Sequence, residues 1–280
     1  MIGRLRALGS SLVFLGGGFA LALAALRLTA SLLRPVLTGG AFSLAILQTA
    51  VLLLVFGLMT WLVGVKGLGL TAADFGLTPV PTGVRGFGRG FLLGCLLAVA
   101  AMSAAVAVGN AAWREDGGTV PGWLGAVGVT TLLLLPAALV EELIFRGVPM
   151  VVLSRAFGRG FALLALALLF GVVHLWNDGI TPLAVGNIVL AGVFLGLAFF
   201  TPGGLWTSTG AHLGWNLTLA GLAAPVSGLL LPIPWLDYST RGPAWLTGGR
   251  FGPEGGVLAS LFLAAGAVVA GRRSIRGSIA

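Results

Sequence analysis

The feature that most limits what this chain can fold into is the grouping of its apolar residues. They fall into long, nearly uninterrupted blocks near residues 8–32, 41–65, 90–112, 122–148, 158–177, 183–201, 205–225 and 255–271. Each is close to the roughly 20 residues a helix needs to cross a bilayer. In lipid every backbone N–H and C=O must be satisfied internally, and an α-helix does this within one segment. Only 9% of the 280 residues are charged, against about 25% in a soluble domain. The expected fold is therefore all-α: one polytopic membrane domain over residues 1–280, with eight transmembrane helices. A soluble helical bundle fits blocks of this length poorly.

Orientation follows from the basic residues, because cytoplasmic loops carry the excess of Lys and Arg. With the N-terminus inside, the inner segments hold eleven: Arg4, Arg6, Lys66, Arg85, Arg89, Arg146, Arg155, Arg159, Arg272, Arg273 and Arg276. The outer loops hold four: Arg34, Arg114, Arg241 and Arg250. Arg27 lies in the first block near its outer end, where it can snorkel. Both termini are thus expected on the cytoplasmic side of a cell membrane. The net charge of +8 reads as membrane orientation, so the expected partner is a bilayer and not nucleic acid. Trp61, Trp113, Trp123, Trp176 and Trp206 fall near block ends, where indole rings prefer the interface. The opening "MIGRLRALGSSLVFLGGGF" has signal-peptide features, but its apolar block outruns a usual h-region. It is expected to be retained, which keeps the helix count even.

Other signals are weak. Cys95 sits inside an apolar block and reads as a small core residue. "GVFLG", Gly192 to Gly196, has the small-xxx-small spacing of close helix packing. Residues 66–89 and 226–254 read as loops, the first inside and rich in Gly, Pro and Thr. The second lies outside, and Trp235 and Trp245 beside Pro and Gly suggest an interfacial stretch. Neither shows a ligand-binding pattern.

The informative residues are the few polar ones inside the blocks: Glu141, Glu142, Arg146, His174, His212 and Asn216. An ionisable group at bilayer depth costs at least about 2.5 kcal/mol and usually faces a polar cavity. His174 and His212 are the only histidines in the chain. Residues at i and i+4 share a helix face. Glu142 and Arg146 are such a pair, so the guanidinium can neutralise that carboxylate. Glu141 points about 100° away and is left without this partner. Phe170 with His174, and His212 with Asn216, form two more one-turn pairs. Taken singly, each has a plain reading: a helix-locking ion pair, a packed histidine, a core phenylalanine, an amide joining helices. One shared site over residues 122–225 explains them together.

In a wet pocket this set suits amide hydrolysis. Glu141 can take a proton from water as a general base. His174 can help hold that water, and His212 and Asn216 can donate to a developing oxyanion. The same Glu141, His174 and His212 would also suit a divalent metal such as zinc. H-E-x-x-H and G-x-S-x-G signatures are absent from the sequence. Asp178, at an expected loop, is the only aspartate beside the motif-bearing blocks, which argues against a pair of catalytic aspartates.

"EELIFR" matches E-E-x-x-x-R, "FGVVH" matches F-x-x-x-H and "HLGWN" matches H-x-x-x-N. In this order, on successive helices over roughly residues 135–222, the motifs resemble the CPBP family. That family is also called the Abi or CAAX-protease family and includes the Ras-converting CAAX endopeptidase. The resemblance implies an eight-helix intramembrane endopeptidase with a conical cavity open to the cytosol. By position it makes Glu141 the catalytic base and gives His174 the water. It puts Glu142 and Arg146 in the first motif and gives His212 and Asn216 the oxyanion. Family members are described both as metalloproteases and as metal-free glutamate enzymes. The implied partner is a membrane-associated peptide or protein, prenylated in the eukaryotic relatives.

Two other function classes use the same residues. One is a proton- or ion-coupled transporter, and the other is an immunity protein that binds a peptide without cleaving it. Counting along the blocks also sets a condition. Glu141 and His212 lie about seven residues from the inner face, but His174 lies about 16 residues along its block. A common site requires the fifth helix to start later or to tilt.

Overall fold

The computed structural model describes residues 2–33, 40–77 and 80–277; Arg34, one of the four basic residues expected in outer loops, lies outside them. The first apolar block forms α1 (Arg4–Leu12) and α2 (Gly18–Leu33), joined by a π-helical stretch, Val13–Gly17. The second forms α3 (Gly40–Met59), which runs on as a π-helical stretch, Thr60–Gly67. Next come α4 (Val80–Ala107) and α5 (Val120–Arg146). They are followed by α6 (Val148–Phe157), α7 (Arg159–Val173) and α8 (Pro182–Phe199). The chain then forms α9 (Leu205–Gly221), the one-turn α10 (Ala244–Thr247) and α11 (Val257–Gly277).

Among the described residues, six helical stretches are long and apolar enough to cross a bilayer. Their mean hydropathy runs from 1.4 to 2.3. α7 and α9 sit at the two remaining expected positions, and at 15 and 17 residues they are shorter. The fold is that of an all-α polytopic membrane protein. Leu and Val side chains of α2, α3, α5, α7 and α11 face outward, as lipid-facing surfaces do.

Three expectations need correction. The loop at 66–89 holds a 3₁₀ turn, Ala72–Phe75, closed by a capping box of Thr71 and Asp74, and helix α4 already begins at Val80. Pro81 is tolerated in a first helical turn. The helix extends through its glycines because they let α4 lie against α9. A Cβ at Gly90 or Gly94 would lie 2.1 or 2.2 Å from the carbonyl oxygens of Thr207 or Ala211. Reciprocally, one at Gly210 or Gly214 would lie 2.2 Å from those of Phe87 or Phe91. The two backbones touch without side chains between them, as in small-residue packing of membrane helices. Gly192 does the same on a smaller scale, with its missing Cβ 2.9 Å from the Cα of Ala167.

The second correction is α6. The segment after Arg146, between the blocks expected at 122–148 and 158–177, is a helix whose residues Val148 to Leu153 are all buried. The third is residues 226–254, which form a packed cap. In it β2 (Leu236–Thr240) pairs antiparallel with β1 (Ala111–Glu115), Ala111 facing Thr240. Trp113 and Trp123, expected as interface anchors, donate their indole N–H to the carbonyls of Leu222 at 3.1 Å and Gly221 at 2.8 Å. They satisfy the open carbonyl end of α9.

Helix α5 packs against α3, α6 and α9, α7 against α8, and α11 against α8 and α4. The three motif-bearing elements, α5, α7 and α9, thereby surround one interior space.

Candidate active site

That space is a cavity of about 660 Å³. Most of its wall is apolar, including Leu133, Leu134, Phe194, Leu195 and Leu263. Phe19 of α2 and Thr49 of α3 also border it. Its polar part is made by Glu141, His174, His212 and Asn216, with Asn177, Ser227 and Glu254 nearby.

The deepest polar unit is the expected ion pair. Arg146 donates from an η nitrogen to Glu142 Oε1 at 3.0 Å, and both side chains are fully buried. The guanidinium's other η nitrogen donates to the Gly192 carbonyl at 3.0 Å. His212 Nδ1 lies 2.9 Å from the same Glu142 Oε1. A carboxylate only accepts, so Nδ1 carries the proton. Glu142 therefore links α5 to α9 as well as pairing within its own helix.

His174 ends α7 as its C-cap residue. Its Nδ1 lies 2.7 Å from the Phe170 carbonyl oxygen, which again assigns the Nδ1 proton and leaves Nε2 facing the cavity. The Phe170 ring fills the centre. It lies 4.6 Å from the His174 ring, 6.2 Å from the His212 ring and 4.8 Å from the Arg146 guanidinium carbon. The phenylalanine of F-x-x-x-H is thus a spacer for three functional groups, and the cation sits over its face.

Glu141 lies about 100° around the helix from Glu142, on the other edge of the His212 ring. Its side chain is one-third exposed. Its Oε2 is nevertheless shielded and has no hydrogen-bond partner. That oxygen lies 3.7 Å from His212 Nε2 and 4.0 Å from His174 Nε2. Both gaps exceed a direct hydrogen bond, and gaps of this size suit a bridging water. Helix α7 starts at Arg159, close to the expected position, and its C-cap residue His174 still lies across the cavity from Glu141. Asn216 lines the cavity one turn beyond His212. All six residues singled out in the sequence meet around this cavity or directly beneath it.

The donor types suit a metal ion, and Nδ1 partners of this kind orient metal-binding imidazoles. Yet among the described residues no group of three or more His, Cys, Asp or Glu is arranged to hold a metal ion.

Sequence reasoning missed Glu254. It comes from the cap, in a 3₁₀ turn Pro253–Gly255 just ahead of α11, and it is buried. Burial pushes its carboxyl above the ordinary value, opposed by hydrogen bonds from Ser227 and Trp215. Asn187 was missed too. Its amide nitrogen donates to the carbonyls of Glu254 and Gly256 at 2.7 and 2.8 Å, and its oxygen accepts from Ser260 at 2.5 Å. An asparagine in the middle of an apolar block is itself a signal, because buried amides need partners. Glu254 offered none, standing among glycines outside every block.

No curated protein and no solved structure matches the chain. Residues 123–218 match the family model described as type II CAAX prenyl endopeptidase Rce1-like. The matched stretch contains all three motifs, running from α5 into α9. Over about a third of its length the chain is thus similar to the Rce1-like endopeptidases of the CAAX protease family.

Proposed function

We propose that the chain is an intramembrane endopeptidase that hydrolyses a peptide bond of a membrane-associated protein or peptide. One observation carries this reading: a shielded, unbonded carboxylate oxygen of Glu141 between two imidazole Nε2 atoms at 3.7 and 4.0 Å. A water held there by Glu141 and His174 gives its proton to Glu141 while its oxygen attacks the scissile carbonyl carbon. His212, protonated on both nitrogens, donates from Nε2 to the resulting oxyanion, and Asn216 donates beside it. The Glu142 carboxylate beneath His212 balances the imidazolium charge, and Arg146 balances Glu142. Collapse of the oxyanion breaks the C–N bond, and the proton on Glu141 passes to the leaving amine. The apolar wall suits a hydrocarbon-rich segment better than the ion path of a transporter. The lysine and arginine count supports cytoplasmic termini.

The test is a membrane-anchored peptide reporter in proteoliposomes. Glu141→Gln should abolish cleavage while leaving the unfolding temperature unchanged, because the replaced oxygen has no partner to lose. Wild-type turnover matched by this variant would refute the assignment. Binding without cleavage by the wild type would instead favour a peptide-sequestering immunity protein. Turnover that survives exhaustive chelation fits the scheme above. Turnover lost to chelator and restored by zinc would move water activation to a metal.

A further inference from the structure

The two histidines sit on different elements, and nothing in the motifs explains what sets their separation. The cap does. Glu254 Oε1 accepts from Trp215 Nε1 at 3.0 Å, and Trp215 stands on α9 between His212 and Asn216. Glu254 Oε2 accepts from the Ser227 hydroxyl at 3.0 Å and from the Ser227 backbone N–H. The Ser227 carbonyl in turn accepts from Asn177 Nδ2 at 2.9 Å, and Asn177 N–H donates to the His174 carbonyl at 3.0 Å. One carboxylate thus reaches both histidine-bearing elements, through Trp215 on one side and Ser227 on the other.

Two further contacts make this link stiff. Asn187 of α8 holds the backbone carbonyls of Glu254 and Gly256, as described above. The Ser227 turn also lies directly on the His174 turn: a Cβ at Gly228 would stand 2.3 Å from the Asp178 carbonyl oxygen. Ser227 itself has φ +47°, a left-handed conformation that costs a serine energy and persists where the surroundings hold it. The Glu254 carboxylate takes both Ser227 donors, and Asn177 and Phe251 hold the rest of the turn. A carboxylate that served only to bury a helix start would not need to reach both elements.

We infer that Glu254 is a positioning residue that fixes the His174 turn and helix α9 at the separation at which both imidazoles face Glu141. This deepens the hydrolase reading and rests on it. With only two histidines in the chain, histidine-selective 15N labelling shows two imidazoles, told apart with His174→Gln. In full-length protein in detergent, Glu254→Gln should move both imidazole signals from their wild-type positions. Reporter turnover should fall about tenfold at nearly constant KM, as expected for a sub-ångström misplacement. Trp215→Phe should move the His212 signal alone, and Asn177→Ala the His174 signal alone. A residue that merely stabilised the fold would lower the unfolding temperature and leave both signals and turnover per folded molecule unchanged; that result overturns the inference. Should Glu254→Gln not fold, the two single-arm variants decide, and unmoved signals in both overturn it. A wild type without turnover would sink the hydrolase reading, while the spectra would still judge the positioning.

Discussion

Replacing Arg146 with Met tests the buried charge system beneath the cavity. The substitution keeps the length of the side chain and removes its charge and its donors. Glu142 then stays buried with His212 as its remaining donor, and the Gly192 carbonyl loses its partner. Breaking one side of a buried ion pair costs about 3–5 kcal/mol. An orphaned buried carbonyl adds about 1–3 kcal/mol. The His212 hydrogen bond and protonation of Glu142 offset part of this, so the expected net loss is about 3–5 kcal/mol. Equilibrium unfolding in mixed detergent micelles measures it. The companion variant is Glu142→Gln with Arg146→Met, which removes both charges. Because the two residues touch, the double variant should be less destabilised than the sum of the singles by about 2 kcal/mol. A single variant within about 1 kcal/mol of wild type, or strict additivity, would show that the pair is not the anchor its burial implies.

The remaining predictions concern packing and pH. Gly214→Ala places a Cβ 2.2 Å from the Phe91 carbonyl oxygen, so α9 must move away from α4 by about 1 Å; turnover should then fall about a hundredfold, and unchanged turnover would mean that the His212 helix is placed by other contacts. For Asp74, burial alone would raise the carboxyl, but the Thr71 backbone and hydroxyl and the neighbouring Arg155 outweigh it and hold it below the ordinary value. A depressed carboxyl adds stability above its unfolded value of 3.8 and loses it as pH falls through the folded one. Wild type should exceed Asp74→Asn by less than about 1 kcal/mol at neutral pH, since the pair with Arg155 is exposed, and the gap should close as the pH drops below 3.8; a gap independent of pH would refute this. Glu254 works in the opposite sense, because burial raises its carboxyl. Its contribution is fully present below the unfolded value of 4.5 and falls as pH rises through the folded one. Thermal scans should show a steeper loss of stability on raising pH in wild type than in Glu254→Gln.

How much was legible in advance depended on the range of each interaction. The sequence alone determined the all-α membrane class, because one long apolar block is enough to demand a helix in lipid. It also determined the Glu142–Arg146 pair, the separate heading of Glu141 and the two other one-turn pairs, since these follow from the 3.6-residue turn of a single helix. Tertiary structure decided the rest. Glycines at 90, 94, 210 and 214 fall inside expected helices, but nothing in the sequence pairs them until two helices more than 100 residues apart meet through them. Residues 226–254 read as an outer loop until β2 pairs with β1 and the turn at Ser227 lands on Asp178. Glu254 stood among glycines with no periodic neighbour, and only the folded chain puts it between Trp215 and Ser227. Local periodicity states which way a side chain points on its own helix. The distance between Glu141 and each imidazole is instead set by contacts between helices distant in sequence, which no short stretch encodes.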